Sequence, residues 1–212
     1  MRLRKVKNAL EILNDSKYII SNPEDYKGEY KKVFKNNNPI HLEIGMGKGD
    51  FIIGMAKKYP NINFIGLEKY ESVQVRAAQK LVDIDLPNLR LIRLDASNLD
   101  KVFDKEIDTI YLNFSDPWPK ARHAKRRLTS SYFLNIYDSV FKGNPHIIQK
   151  TDNIGLFASS IESLTQYGYE ITKCSLDLHS EDIDNVETEY EQKFSSLGQR
   201  INYLNAVKKS VK

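Results

Sequence analysis

The run His41-Leu42-Glu43-Ile44-Gly45-Met46-Gly47-Lys48-Gly49-Asp50 constrains the fold more than any other stretch. An apolar strand leads directly into three alternating glycines and then into residues with helical spacing. Glycine lets a backbone turn tightly and approach a ligand closely where a strand of a parallel sheet ends. The G-x-G-x-G spacing differs from the G-x-G-x-x-G of dinucleotide enzymes, and Glu43 stands two residues before the first glycine. A carboxylate there repels a pyrophosphate but suits an α-ammonium through charge-assisted hydrogen bonding.

From about Pro39 onward, short apolar runs alternate with longer amphipathic ones, which predicts an α/β fold: a mostly parallel sheet with helices on both faces. Strands are expected at 40–44, 63–67, 89–94, 109–114 and 146–149, with helices at 51–59, 71–82, 131–141 and 156–167. After Gly168 the pattern changes to strand-like alternation over 169–178 and 201–207, separated by an acidic loop at 180–191, and this predicts a C-terminal antiparallel hairpin. Residues 1–38 read as a basic N-terminal arm without a core of its own, and 39–212 as one catalytic domain.

With 212 residues, 41% of them hydrophobic, the chain is long enough to bury a substantial core. A net charge of +4 is only mildly basic, so a nucleic-acid surface must be a local concentration of charge. The single cysteine, Cys174, excludes an internal disulfide and a cysteine zinc site, and His41, His123, His146 and His179 lack metal-ligand spacing. No metal and a reducing, cytoplasmic location are therefore expected. Met1-Arg2-Leu3-Arg4-Lys5 resembles a secretory start, but Asn8, Glu11, Asn14 and Asp15 interrupt the apolar run that must follow. No stretch has the length needed to cross a membrane.

Two further acids fall at the ends of successive strands. Glu68 follows Phe64-Ile65-Gly66-Leu67, where a carboxylate can accept both hydroxyls of a ribose. Asp95-Ala96 follows Leu91-Ile92-Arg93-Leu94, where an acid can accept the amine of adenine while a backbone N–H donates to the ring. With Glu43, Gly45, Gly47 and Gly49, this series describes a site for a nucleoside carrying a cationic amino-acid tail, as S-adenosylmethionine does. The fourth strand leads into Ser115-Asp116-Pro117-Trp118-Pro119-Lys120, a turn stiffened by two prolines that can hold Asp116 beside a methyl donor. Arg122, His123, Ala124, Lys125, Arg126 and Arg127 follow at once; placed beside a reacting loop, this basic cluster can grip phosphates.

In these motifs, and in Lys150-Thr151-Asp152-Asn153 and Thr188-Glu189-Tyr190-Glu191 with Lys193-Phe194, the sequence resembles bacterial tRNA (guanine-N7)-methyltransferases over nearly its whole length. The Asp116-Pro117-Trp118-Pro119-Lys120 segment and the late Thr-Glu-Tyr-Glu are the specific signals; the glycine loop alone marks only the broad class. The resemblance implies a Rossmann-like class I methyltransferase fold, with S-adenosylmethionine as donor and a guanine in the variable loop of tRNA as acceptor. It implies that Glu43, Glu68, Asp95 and Asp116 contact the donor, that Lys120, Asp152, Thr188, Glu189, Tyr190 and Glu191 hold the substrate, and that residues 122–127 meet RNA. Two departures stand out: Gly143-Asn144-Pro145-His146 where the family has a glycine-rich turn, and Met46 where it has a small residue, which predicts a tighter donor pocket.

Three other readings make different predictions. A methyltransferase of another RNA, a protein or a small molecule is one alternative, and for a protein or small-molecule substrate the Lys120–Arg127 cluster would be dispensable and activity indifferent to salt. A non-catalytic RNA-binding module would show a damaged donor site. A dehydrogenase is disfavoured by the glycine spacing. Monomer and homodimer both stay open.

Overall fold

The apolar runs become the strands of a single sheet. In the computed structural model, which describes residues 8–208, the elements are α1 (Ala9–Asp15), β1 (Ile19–Ile20), α2 (Tyr30–Phe34), β2 (Ile40–Ile44), α3 (Asp50–Lys58), β3 (Asn63–Glu68), α4 (Glu71–Lys80) and β4 (Leu89–Arg93), continuing with α5 (Leu99–Val102), β5 (Thr109–Asn113), α6 (Ser131–Val140), β6 (His146–Thr151), α7 (Ile154–Gln166), β7 (Glu170–Ser175), α8 (Glu189–Ser195) and β8 (Asn202–Val207). The basic opening Met1-Arg2-Leu3-Arg4-Lys5 and residues 209–212 lie outside the described residues.

The strand order is β1-β4-β3-β2-β5-β6-β8-β7. Pairs among β1 to β6 are parallel, and β8 runs antiparallel to both β6 and β7. Because successive side chains point to opposite faces, each central strand feeds two cores. Leu42, Ile65, Ile110 and Ile147 pack with Phe133, Leu134 and Tyr137 of α6 and Phe157 of α7. Phe64, Leu91 and Tyr111 pack with Phe51, Ile52 and Met55 of α3 and Ala77 of α4. The order reverses at β2, which lies between β3 and β5, and open α/β sheets bind ligands beyond the carboxyl ends of the strands at such a switch point. Among the described residues no helix is long and apolar enough to cross a membrane.

The expected central strands agree with those observed to within about two residues, the usual uncertainty of element ends. Residues 8–38 lie on the domain and join its core. Ile19 and Ile20 pair with Leu91 and Ile92 as an edge strand, Tyr30 and Phe34 enter the larger core, and the Glu106 carboxylate accepts from the N–H groups of Gly28 and Tyr30, both at 2.8 Å. The link from β7 to β8 is not a simple acidic loop. Residues 189–195 form α8, opened by a capping box in which Thr188 Oγ1 accepts from Glu191 N at 2.9 Å and the Glu191 side chain returns to the Thr188 N–H. The Gly143-Asn144-Pro145 departure is a turn at the amino end of β6, tied by the Lys208 N–H donating to the Pro145 carbonyl at 2.9 Å, and so lies away from the carboxyl-end crevice.

Candidate active site

The glycine loop leaves β2 at the switch point, with Gly45 and Gly47 at φ 77° and 56°, in the left-handed region that glycine adopts without strain. The N–H groups of Gly45 and Met46 both donate to the Leu67 carbonyl, at 2.8 and 3.0 Å, which moors the loop to β3. Glu43 is 1% exposed. Its Oε1 accepts from Asn113 Nδ2 at 2.9 Å, while Glu43 Oε2 and Asn113 Oδ1 are buried with no protein partner. Burial pushes the Glu43 carboxyl up to about 7, against the opposing pull of the Asn113 hydrogen bond and the Lys150 charge. Two buried acceptor oxygens without donors form a socket that a cationic N–H group satisfies.

Two glycine-loop expectations change. Met46 is among the residues bordering the smaller of the site's two cavities, but its side chain is buried and its sulfur lies against Gly66 in the core. Gly49 caps α3 and is not among the residues lining the cleft. A Cβ on it would lie 2.9 Å from that of Ala77, so its bare α-carbon serves the close approach of α3 and α4.

Gly45, Glu68, Asp95, Ala96 and Asp116 line one cavity of about 450 Å³, together with Tyr70, Phe114, Trp118 and Arg126. Glu68 accepts from Gly47 N at 3.1 Å and Tyr70 N at 2.9 Å, and burial raises its pKa. Asp95 Oδ1 accepts from the N–H and hydroxyl of Ser97, and Oδ2 pairs with Lys69 at 2.6 Å. Chiefly that Lys69 hydrogen bond lowers its carboxyl to about 2, so Asp95 is an anion with an exposed lysine as its exchangeable partner. Asp116 stands exposed on the cavity wall, after Phe114 at φ 50° and before Trp118 at φ 42°. Such backbone is unfavourable for bulky residues and needs outside support. Arg127 supplies it, donating to the carbonyls of Pro117 at 3.2 Å and Trp118 at 3.1 Å.

A second cavity, about 210 Å³, shares Gly45, Asn113 and Phe114 with the first and is closed on its far side by Thr188, Glu189 and Tyr190. Glu43 lines this second cavity. Lys48 pairs with Glu189 at 2.7 Å across it, and the Tyr190 ring lies between those of Phe114 and Phe194, at 4.9 and 4.2 Å. Asp152 is tied to this wall, its Oδ2 accepting from Tyr190 Oη at 3.1 Å and Gln199 Nε2 at 2.9 Å. Glu191 is not brought to the cleft. It is fully buried, with Lys150 Nζ at 2.5 Å and Asn185 Nδ2 at 2.7 Å, so a direct contact with a base would require breaking a buried ion pair. Of the basic cluster, Lys120, Arg122, Lys125 and Arg126 are exposed, with Arg126 stacked over Trp118 at 4.8 Å and half-buried His123 edge-on to the same ring. Arg127 departs from the expectation of a phosphate contact, because its guanidinium is engaged by the Pro-Trp turn.

Residues 37–204 match the family model described as "Putative methyltransferase". The chain is 51% identical to the tRNA (guanine-N(7)-)-methyltransferase of Lysinibacillus sphaericus, covering 97% of each, and 52% identical to that of Bacillus subtilis, covering 95% of this chain and 96% of the relative. This chain belongs to the tRNA (guanine-N(7)-)-methyltransferase family. The fold of this methyltransferase is shared with the 16S rRNA methyltransferase KamB at TM-score 0.66, with 15% identity over 86% of this chain and 93% of that one. It is shared likewise with the 16S rRNA (adenine(1408)-N(1))-methyltransferase of Catenulisporales acidiphilia, solved with its cosubstrate SAM, at TM-score 0.65 and 14% identity over 87% and 92%.

Several residues of the methyltransferase site escaped the sequence reading. Asn113 joins the two cavities and binds Glu43; a polar residue ending an otherwise apolar strand was the available signal. Lys48 and Lys150 lie inside motifs that the sequence marks, and Phe114 ends an expected strand, but their roles come from partners far along the chain.

Proposed function

We propose that this enzyme transfers a methyl group from S-adenosylmethionine to N7 of a guanine in the variable loop of tRNA. The observation that carries the reading is the desolvated Glu43–Asn113 pair, which borders the smaller cavity and, through Asn113, adjoins the larger one walled by Glu68, Asp95 and Asp116. Glu43 and Asn113 would hold the donor's α-ammonium, Glu68 the ribose hydroxyls and Asp95 with Ala96 the adenine. When bound, S-adenosylmethionine supplies a methyl group on a positively charged sulfur. The printed names of relatives about half identical over nearly the whole chain support tRNA and guanine N7 as the acceptor.

Guanine N7 carries a lone pair and no proton, so no general base is needed and positioning is the main demand. Positive charge spreads onto the purine as the methyl moves, and Asp116, exposed on the wall of the larger cavity, would stabilise it. Tyr190 lines the second cavity and donates to Asp152; there the carboxylate would accept from guanine N1–H and the 2-amino group, and the ring would stack on the base. In an A-form helix N7 faces a deep, narrow groove, so the guanine must come from a loop or be turned out of its stack. Lys120, Arg122, Lys125 and Arg126 would meet the phosphates around it.

The test is incubation of unmodified tRNA with methyl-labelled S-adenosylmethionine, followed by digestion to nucleosides. Label in 7-methylguanosine is expected. Label in another nucleoside, or none, overturns the proposal.

A further inference from the structure

The wall that carries Glu189 and Tyr190 has little backbone structure of its own: residues 184–188 belong to no helix or strand. Side chains from two other elements hold it. Lys150, at the carboxyl end of β6 and 3% exposed, donates to Asn185 Oδ1 at 3.0 Å, to the Val186 carbonyl at 2.9 Å and to Glu191 Oε2 at 2.5 Å. Those three acceptors match the three protons of an ammonium, and all lie in one eight-residue span of chain, 184–191. The second support is Gly54, in the middle of α3. A Cβ there would stand 2.6 Å from Val186 Cγ1 and, its own helix aside, within 4 Å of no other atom, so Val186 sits in a notch that exists because residue 54 lacks a side chain. Lys58 and Tyr59, one turn further along the same helix, bond Asp184 at the start of the strap.

We infer that Gly54 and Lys150 are positioning residues for the acceptor: between them they seat the 184–191 strap and so set where Glu189 and Tyr190 face the donor loop. Neither residue lines the donor cavity. A glycine inside a helix is otherwise unfavourable, since alanine forms helix better. Its presence therefore points to packing against the strap and not to any need of α3 itself. The inference deepens the tRNA reading and rests on it only for its activity assay.

The experiment compares Gly54→Ala, Val186→Ala and the double variant by hydrogen–deuterium exchange and by steady-state methylation of tRNA. In Gly54→Ala the added methyl displaces Val186. Exchange at the strap's Glu191 amide and at Gln192, both of which donate to Thr188, is expected to rise on the order of tenfold while α3 and β2 to β6 stay protected, and kcat/KM for tRNA to fall on the order of 10- to 100-fold with S-adenosylmethionine affinity unchanged. The double variant, which removes the clashing Cγ1 and leaves the new methyl in its place, recovers both. Should Gly54→Ala fail to fold, Val186→Ala alone must still loosen the strap, because it empties the notch without a clash. Strap exchange at the wild-type level in Gly54→Ala and in Val186→Ala, or a double variant no better than the single one, overturns the inference. The exchange measurements decide this with no substrate present, so wild-type protein inactive on tRNA would count against the acceptor assignment alone.

Discussion

The proposed donor side and the proposed acceptor side of the cleft are built in different ways. Glu43 and Glu68 sit within β2 and β3, and Asp95 follows β4 by two residues, so the sheet fixes their separation through ladder hydrogen bonds. The acceptor side is a strap held by Lys150 and Gly54, and it meets the donor side at a strained turn braced by Arg127. A rigid frame suits a small donor of constant shape. A propped wall suits a folded RNA, which must be admitted, positioned and released.

This contrast predicts that changes on the two sides separate cleanly in kinetics. The largest effect is expected for Asp116→Ala, where the sides meet: turnover should fall on the order of 100- to 1,000-fold with tRNA affinity retained, as filter binding and single-turnover rates would report. Equal loss of tRNA binding would move Asp116 to the acceptor side. Next is Glu43→Gln, which should weaken S-adenosylmethionine about 10- to 100-fold by removing a charged hydrogen-bond acceptor, while leaving tRNA binding intact.

Glu43→Gln should also change stability in a pH-dependent way. The folded carboxyl, raised to about 7 by burial, favours the protonated form, so its contribution is present below the unfolded pKa and is lost as pH rises to about 7. The ligand-free wild type is therefore expected to lose on the order of 3 kcal/mol relative to the variant between pH 4.5 and pH 7. Denaturant melts at pH 5 and pH 8 check this; parallel behaviour of the two proteins would mean Glu43 is solvated.

Smaller effects belong to the basic turn. Arg127→Ala should lower kcat more than it weakens tRNA binding, because it frees a turn that carries Asp116. Arg122→Ala with Lys125→Ala should weaken binding only a few-fold at moderate salt and reduce the salt slope by about 1.5 for the pair. The reverse pattern, Arg127 dominating the salt slope, would return it to the RNA surface.

The same division decided what could be read from the sequence. Strands 40–44 and 63–67 announce themselves by apolar runs and glycine punctuation, and the acids at their ends follow from position along the chain alone. The edge strand Ile19–Ile20 is two residues long and exists because β4 offers it a ladder. Helix α8 carried a legible start, Thr188 three residues before Glu191, yet its acidity suggested a loop; the capping box was the stronger signal. That Glu191 faces inward could not be read locally, since its reason is Lys150, forty-one residues earlier. Gly54 and Arg127 likewise gain their meaning from contacts the fold creates.

The most direct test of the frame is calorimetric titration of S-adenosylmethionine into wild type and Glu43→Gln from pH 5.5 to pH 8. If the Glu43–Asn113 socket receives the ammonium, wild-type affinity should climb with pH through about 7, by at most about tenfold per unit, while the variant stays weak and much flatter. Identical pH profiles of equal strength in the two proteins would contradict it.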